Sequence, residues 1–450
     1  MILSVLIMMD RKMTRRELLN NLKLLLFSLL SYPFDGVAWA EKGEIGKTKA
    51  KNQGRSLDME KPFFDLKKLG YVLVTPSGPE DGGDFGPKTA GTKTSGIQEA
   101  LDYAKANKRD VYIAGGGLTE AFKGGVGYQL EETLRIPWNQ NWRLDGGEYW
   151  LSYTQESGDA VVIDSQMNCR IKLGLVVNTR SDGAVVRMCP TSKGPDNLCC
   201  IVASTFEFNG MVGAGDVWGR EGAKQKSTGL LMDAKSGGIS GNKILIQEIN
   251  ACDLGIHITQ GCHTNLLYAT WIHLTNLGIK IGDAKAPNVS EHIIQAGISG
   301  DLPKTTGVQI FGQRNFLTIS AHGHDAGKNV IFEGPSRENL IIAVNLAEGI
   351  TNNASIPTNR IIPTWPIGFS VATPPVPASG EEVVNRHPYT IEARIVTAGQ
   401  VTEWIQTDAN GVSQKFSGGL FTGHGFILQP GDKIGFSYTE PPTWRWRALS

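Results

Sequence analysis

The densest group of titratable side chains in this sequence lies in one short segment. It reads Ser320-Ala-His-Gly-His-Asp325 and contains His322, His324 and Asp325. Histidine can act as a general base near neutral pH, and a neighbouring aspartate can orient the imidazole ring or bind a cation. The segment therefore indicates proton-transfer chemistry.

Further polar residues recur at a similar offset in four neighbouring segments. Seven or eight positions after the start of an apolar segment, or slightly further in the last one, the chain has Asn250, His273, Ser299, His322 and Glu348. If the segments stack, these side chains form one column on the outside of the molecule, flanked by Trp271 and Lys328. We expect His273 to join the catalytic group, and Trp271 and Glu348 to contact substrate.

Two enzymatic reactions fit these residue types. Elimination at a uronate needs a base and a cation that neutralises the substrate carboxylate. In this hypothesis His322 is the base, His324 or Asp325 is its orienting or cation-binding partner, and Arg314 or Lys328 is the neutralising group. A divalent cation such as calcium stays open as a cofactor, and no metal site is predicted.

Glycoside hydrolysis is the second reaction. It needs two carboxylates about 5–9 Å apart, which Asp325 and Glu348 could provide, although no paired Asp-x-Asp motif accompanies them. The third alternative is a non-catalytic binding or adhesion protein on which these are ordinary turn and surface residues. Elimination is the first prediction.

A repeat must position these residues. A short motif occurs five times, with glycines 20 to 29 residues apart, at Gly229-Leu-Leu-Met232, Gly255-Ile-His-Ile258, Gly278-Ile-Lys-Ile281, Gly307-Val-Gln-Ile310 and Gly327-Lys-Asn-Val-Ile331. A second apolar segment follows each, beginning at Asn242, Asn265, Glu291, Asn315 and Asn339. Two short β runs per repeat predict a parallel β-helix, because single runs cannot bury their apolar faces alone.

The repeat also predicts the core. Only alternate positions of a strand point inward, so Ile258, Ile281 and Ile310 should be buried, together with the residue directly after each glycine. His257, Lys280 and Gln309 should face outward. The asparagines that open the second strands either stack as a ladder or act as ordinary turn residues.

The segment before the repeats resembles the N-terminal cap of the pectate-lyase superfamily. The resemblance covers residues 62–165 and rests on Asp84-Phe-Gly, Ile97-Gln-Glu-Ala-Leu101, Val111-Tyr-Ile-Ala-Gly-Gly116 and Leu134-Arg-Ile-Pro followed by Asp145-Gly-Gly. It implies a right-handed parallel β-helix plugged by a helix that starts at a Ser95…Gln98 capping box. It does not imply one activity, because the superfamily includes lyases, hydrolases, epimerases and tailspike-like proteins.

The N-terminus reads as an export signal. Arg15 and Arg16 precede an apolar stretch from Leu22 to Leu30, and Ala38-Trp-Ala40 fits a cleavage site. The paired arginines resemble a bacterial twin-arginine signal, with a general secretory signal as the alternative and Met13 as an alternative start. The mature protein is therefore predicted to be periplasmic or secreted.

The predicted organisation is a signal peptide (1–40), a linker (41–61), a pectin-lyase-like β-helix (62–356), a proline-rich linker (357–380) and a C-terminal β-sandwich (381–450). In the sandwich, Trp404, Trp444 and Trp446 either stack on sugars or pack the core. Cys189 with Cys199 or Cys200 could close a short loop.

Bulk properties limit the partners. Forty-four basic and forty-four acidic residues give zero formal net charge, so no general attraction to nucleic acid or membranes is expected. No segment of the mature chain is long and apolar enough to span a bilayer. The elongated side of a solenoid suits an elongated polysaccharide. Trimerisation through the solenoid sides is an open alternative.

Overall fold

A computed structural model describes residues 64–115, 127–194, 197–213, 226–346, 349–364 and 371–449. The predicted export signal, the 41–61 linker and Glu348 lie outside these residues. The regular secondary structure of the described residues is almost entirely β-strand. Its helices are α1 (Phe64–Lys68), α2 (Ile97–Asn107) and a 3-10 turn at Gly78–Asp81.

The largest element is a parallel sheet, here called the long sheet. In spatial order its main path consists of β1 (Val72–Val74), β2 (Val111–Ile113), β6 (Arg143–Gly146), β10 (Arg170–Asn178), β13 (Thr205–Val212), β16 (Lys243–Asn250), β19 (Leu266–His273), β21 (Ile293–Ser299), β23 (Phe316–His322), β25 (Leu340–Asn345) and β27 (Arg360–Pro363). Beside this path, β3 (Tyr128–Leu130) pairs with β7 (Trp150–Tyr153), which pairs with β10. Strand β27 falls in the segment predicted as a proline-rich linker.

Two further parallel sheets run alongside it. The second sheet contains β4 (Leu134–Ile136), β8 (Val161–Ile163), β11 (Ala184–Met188), β14 (Thr228–Met232), β17 (Leu254–Ile258), β20 (Leu277–Ile281), β22 (Thr306–Ile310), β24 (Val330–Phe332) and β26 (Ile350–Asn352). The third contains β5 (Asn139–Gln140), β9 (Gln166–Met167), β12 (Cys200–Val202), β15 (Gly238–Ser240) and β18 (Cys262–His263). In the middle of the chain each repeat visits the second, third and long sheets in turn, a topology consistent with a parallel β-helix.

The core follows the predicted strand register. Ile258, Ile281 and Ile310 are fully buried, as are the residues that directly follow the glycines of the same strands. His257, which lies between two buried isoleucines, turns outward, and its Nε2 is 3.2 Å from Asp283 Oδ2. The prediction of alternating inward and outward positions is confirmed.

A ladder of buried polar side chains opens the long-sheet strands. Asn315 Nδ2 donates to Asn339 Oδ1 over 3.0 Å, and Asn339 Nδ2 donates to Asn359 Oδ1 over 2.8 Å. Asn242 and Asn265 form the same contact three coils before Asn315 and Asn339, over 2.9 Å. These residues therefore stack, and they satisfy buried backbone groups that would otherwise cost free energy.

One coil departs from the predicted alignment. The sequence predicts that Glu291 opens the second strand of that coil, but the ladder position is occupied by His292, whose backbone N–H donates to Asn315 Oδ1 over 3.1 Å. Its Nδ1 is 3.3 Å from the N–H of Asn265, and its Nε2 is 3.1 Å from Cys262 O. The imidazole thus offers the acceptor and donor that the asparagine amide supplies elsewhere.

Helix α2 covers the N-terminal end of the sheets with the predicted apolar face. Ile97, Ala100, Leu101 and Ala104 are buried. The predicted capping box is wrong, because Ser95 Oγ donates to Gln129 O, and Thr94 Oγ1 accepts the N–H of Gln98 over 3.0 Å instead. Gly96, with φ of 81°, makes the turn into the helix.

The C-terminal part of the chain forms two small antiparallel sheets packed as a sandwich. One contains β28 (Glu382–Val384), β33 (Lys433–Glu440), β30 (Gln400–Thr407) and β31 (Ser413–Ser417); the other contains β32 (Gly425–Leu428), β29 (Thr390–Thr397) and β34 (Thr443–Leu449). Trp444 and Trp446 are buried in its core, whereas Trp404 is half-buried and stacks on Phe416 at 3.9 Å. Core packing therefore explains two of the three tryptophans considered for sugar stacking.

The cysteines are not paired. All six are free, with Cys169, Cys252 and Cys262 buried and the other three half-buried. The suggested link from Cys189 to Cys199 or Cys200 is absent. Burial raises the pKa of Cys252 and of Cys262 to about 12, so both thiols stay protonated and act as apolar core residues.

Candidate functional site

Strand pairing brings the polar residues of successive coils together at the C-terminal end of the long-sheet strands. Asn250 is the direct neighbour of His273, and Ser299 is the direct neighbour of His322. The step from His273 to Ser299 crosses a register shift between Ala269 and Ile272. Four of the five residues inferred from the repeat are therefore aligned in the sheet. The prediction that they lie on the outside is wrong for Asn250, His273 and Ser299, which are buried, whereas His322 is exposed.

The register shift changes which side chains face solvent. Between Ala269 and Ile272 strand β19 has one residue more than β21, so Thr270 and Trp271 are both exposed instead of alternating. A β-bulge of this kind re-aims side chains. Here it directs an indole ring outward, with 47% of the residue exposed.

Trp271 is held from two directions. Its ring is stacked on the imidazole of His273, with centroids 3.7 Å apart and planes 9° from parallel. Its Nε1–H donates to Ser299 Oγ in the next coil over 3.1 Å. The indole is thus fixed in orientation while about half of the residue remains exposed.

Two carboxylates flank the imidazole. Glu248 Oε1 is 2.7 Å from His273 Nε2, and Asp301 Oδ2 is 4.0 Å from His273 Nδ1. Ser299 Oγ also donates to Asp301 Oδ2, over 2.6 Å. The side chains of Glu248 and Asp301 are 40% and 47% exposed, against 11% for His273. We call Glu248, Trp271, His273, Ser299 and Asp301 the Trp271 site.

The separation of the two carboxylates is limited by the ring between them. Because the two carboxylates lie 2.7 Å and 4.0 Å from the two nitrogens of one imidazole, their oxygens are at most about 9 Å apart, an upper limit that is compatible with the separations glycoside hydrolases use. The sequence could have suggested Glu248, since it precedes Asn250 by the same two positions that separate Trp271 from His273. Asp301 lies two residues after the end of β21, and nothing in its local sequence indicates its proximity to His273.

The two histidines of the predicted catalytic segment do not share a surface. His322 ends β23 and is exposed, but Gly323 then turns the chain with φ of 74°. His324 is buried, and its Nδ1 is 3.0 Å from Thr305 Oγ1. An unbroken strand would place His322 and His324 on one face. The turn at Gly323 separates them, so His324 is not placed to orient His322.

The remaining predicted residues have other partners. Lys328 Nζ is 3.0 Å from Asp325 Oδ2, and the N–H of Lys304 donates to Asp325 Oδ1 over 3.1 Å. The hydrogen bond from Lys328 lowers the pKa of Asp325. Arg314 precedes β23 and contacts Glu291 over 3.4 Å, so it lies at the opposite end of the strand from His322, roughly 20 Å away.

The outer surface of the long sheet next to the Trp271 site carries no charge on β19, β21, β23 and β25. Paired positions form two uncharged columns, which are Leu266, Ile293, Phe316 and Leu340, and Tyr268, Gln295, Thr318 and Ile342. Ile293 is half exposed, at 50%. A ligand lying along these coils would meet apolar and amide or hydroxyl groups.

Within the described residues, no group of three or more His, Cys, Asp and Glu side chains is arranged to hold a metal ion. None of the described helices has the length and hydrophobicity required to cross a membrane. No protein-family model matches the chain, and a search of curated proteins found no significant relative.

Proposed function

We propose that this protein is an exported, right-handed β-helix protein of the pectate-lyase superfamily that binds an uncharged polysaccharide at the Trp271 site and hydrolyses it. The observation that carries the proposal is the exposed indole of Trp271, which stacks on His273. The imidazole of His273 in turn lies between Glu248 and Asp301. The export signal and the superfamily rest on the residues at the N-terminus and in the cap segment.

Trp271 suits a sugar ring because its orientation is already set. A ligand that stacks on a ring held by a parallel imidazole and a hydrogen bond loses less free energy to side-chain ordering. The uncharged columns beside it extend the surface along the coils, as a chain of sugar units requires.

Glu248 and Asp301 supply the two carboxylates of glycoside hydrolysis, one as general acid and the other as base or nucleophile. His273 contacts both, so it positions them relative to each other. Asp301 additionally accepts the hydroxyl hydrogen of Ser299. We assign Asp301 the role of base or nucleophile and Glu248 the role of acid.

Elimination at a uronate is less well supported. Its substrate carboxylate would face two carboxylates at the Trp271 site, while Arg314 contacts Glu291 and Lys328 contacts Asp325. Like charges at such distances raise the cost of binding. We therefore assign hydrolysis of a neutral chain in place of elimination.

Binding without cleavage is the second candidate. It is favoured by the hydrogen bonds that engage both carboxylates, since Glu248 contacts His273 and Asp301 accepts from Ser299. A purely recognising site would keep these contacts when ligand is bound.

The test is a panel of uncharged glucans, mannans and xylans with polygalacturonate and alginate, followed by reducing-end release and by ultraviolet absorbance of unsaturated uronates. Glu248→Gln and Asp301→Asn should each lower hydrolysis by at least about a hundredfold. Glu291→Gln, at the other end of the sheet, is the matched control and should be near wild type.

Trp271→Ala should weaken binding of the active polymer by about tenfold. New ends without absorbance, lost in Glu248→Gln, support hydrolysis. New ends with absorbance identify a lyase and overturn the proposal. Trp271-dependent binding with no new ends identifies the second candidate, and no binding to any polymer rejects both.

A further inference from the structure

The outer face of the three-stranded sheet in the C-terminal sandwich carries three arginines. Arg394 lies on the central strand β29, and Arg445 and Arg447 lie on its neighbour β34. The one acidic side chain on this face is Glu392, which gives a local charge of +2 in a chain with zero net charge. Below, these four residues are called the arginine face.

Glu392 neutralises only part of the cluster. Its Oε1 accepts from Arg394 Nη2 over 2.7 Å, and its Oε2 accepts from Arg447 Nε over 2.6 Å. The hydrogen bond from Arg394 lowers the pKa of Glu392, so this carboxylate stays ionised. Arg445 is exposed and has no hydrogen-bond or ion-pair partner in the described part of the chain.

The pairing of the strands sets two like charges opposite each other. Arg394 is the direct cross-strand neighbour of Arg445, an arrangement that destabilises an antiparallel pair. On its other side Arg394 faces Gly425, which has no side chain to cover it. An oxyanion between the two guanidinium groups would relieve the repulsion and accept charge-assisted hydrogen bonds from both.

The shape of the surface indicates a polymer. The arginine face is an open sheet surface, and Arg445 and Arg447 are two residues apart on one strand, roughly 7 Å. Ile427, the cross-strand neighbour of Glu392 on β32, is 58% exposed and adds apolar surface to the same face. The strand residues of this face include no aromatic side chain, which single-stranded nucleic acid binding uses to stack bases.

We propose that the arginine face binds the carboxylate or sulfate groups of an acidic polysaccharide. It would hold the protein on such a polymer through the sandwich, at a surface formed by none of the residues of the Trp271 site. The proposal does not rest on the hydrolytic activity proposed above.

The test uses the full-length mature protein with polygalacturonate, dextran sulfate and neutral dextran in affinity electrophoresis and calorimetry. Wild type should bind the two acidic polymers, with affinity falling as salt rises, and any binding of neutral dextran at the Trp271 site should not fall with salt or in Arg445→Gln. Arg445→Gln and Arg394→Gln should each weaken binding by about tenfold or more. Lys433→Gln, an exposed cation on the other sheet, should change it less than twofold.

Folding and site effects are separable. Arg445→Gln removes a like-charge contact, so its melting temperature without polymer should equal or exceed that of wild type. Preference for polygalacturonate over dextran sulfate, or the reverse, identifies the oxyanion. Equal losses in Arg445→Gln and Lys433→Gln, binding to neutral dextran that Arg445→Gln weakens, or tighter binding to duplex DNA or anionic lipid vesicles overturns the proposal. Asp301→Asn should leave this binding unchanged.

Discussion

His292 places a titratable group inside a ladder otherwise made of amides, and this predicts a pH-dependent stability that one substitution should remove. The ring is fully buried between coils, with Nδ1 accepting from Asn265 N–H and Nε2 directed at Cys262 O. Protonation at Nδ1 would break the first contact and bury a charge. Asparagine at this position would match the amides before and after it.

The magnitude follows from the pKa. Burial lowers the pKa of His292 from 6.5 to about 4. Because the folded pKa lies below the unfolded value, unfolding takes up a proton between these limits, so stability is complete above pH 6.5 and declines as pH falls towards 4. A shift of this size corresponds to about 3 kcal/mol, with a maximum slope of about 1.4 kcal/mol per pH unit.

The assay is urea unfolding of wild type, His292→Asn and the exposed control His322→Asn between pH 7 and pH 4. Hydrogen exchange of β19, β21 and β23 provides a local readout, since solenoids can unfold in parts. The decline should persist in His322→Asn and be reduced by about 3 kcal/mol in His292→Asn. Equal pH dependence in all three proteins would show that His292 is not the titrating group.

Three other predictions test the core, a loop and the export signal. Ile281→Asp should unfold the neighbouring coils by burying an unpaired charge, and a melting curve equal to that of wild type would disprove the strand register. Although burial raises the pKa of Asp164, hydrogen bonds from Ser192 and Thr191 outweigh it and hold the pKa at about 2, below the usual 3.8. The stabilisation of the adjoining loop is therefore present above pH 3.8 and lost towards pH 2, so pepsin cleavage at 189–200 should rise in that window in wild type. In Asp164→Asn, cleavage should not change between pH 3.8 and pH 2. The same rise in cleavage in wild type and in Asp164→Asn would contradict this prediction. Replacing Arg15 and Arg16 by lysine should leave precursor in the cytoplasm, and unchanged export would indicate a general secretory signal.

The sequence by itself determined the repeat and its inward positions, and it left the asparagine ladder as one of two alternatives. These depend on local periodicity, because the same strand positions recur in every coil and bury the same side chains. Ile258, Ile281 and Ile310 could therefore be placed from their distance to a glycine. The alignment of the repeats puts Glu291 at the ladder position that His292 occupies. A pattern of asparagines does not reveal a histidine at that position, although an imidazole can make the same hydrogen bonds as an amide.

The candidate site was decided by tertiary structure. The spacing of His322 and His324 predicts a shared face only if the strand continues unbroken. The turn at Gly323 ends the strand, so His322 is exposed and His324 is buried. One extra residue in β19 turned Trp271 outward, and register between coils brought Glu248 and Asp301 to opposite nitrogens of His273. Periodicity fixes which residues lie in a column, whereas bulges and turns, which depend on neighbouring coils, determine where their side chains point.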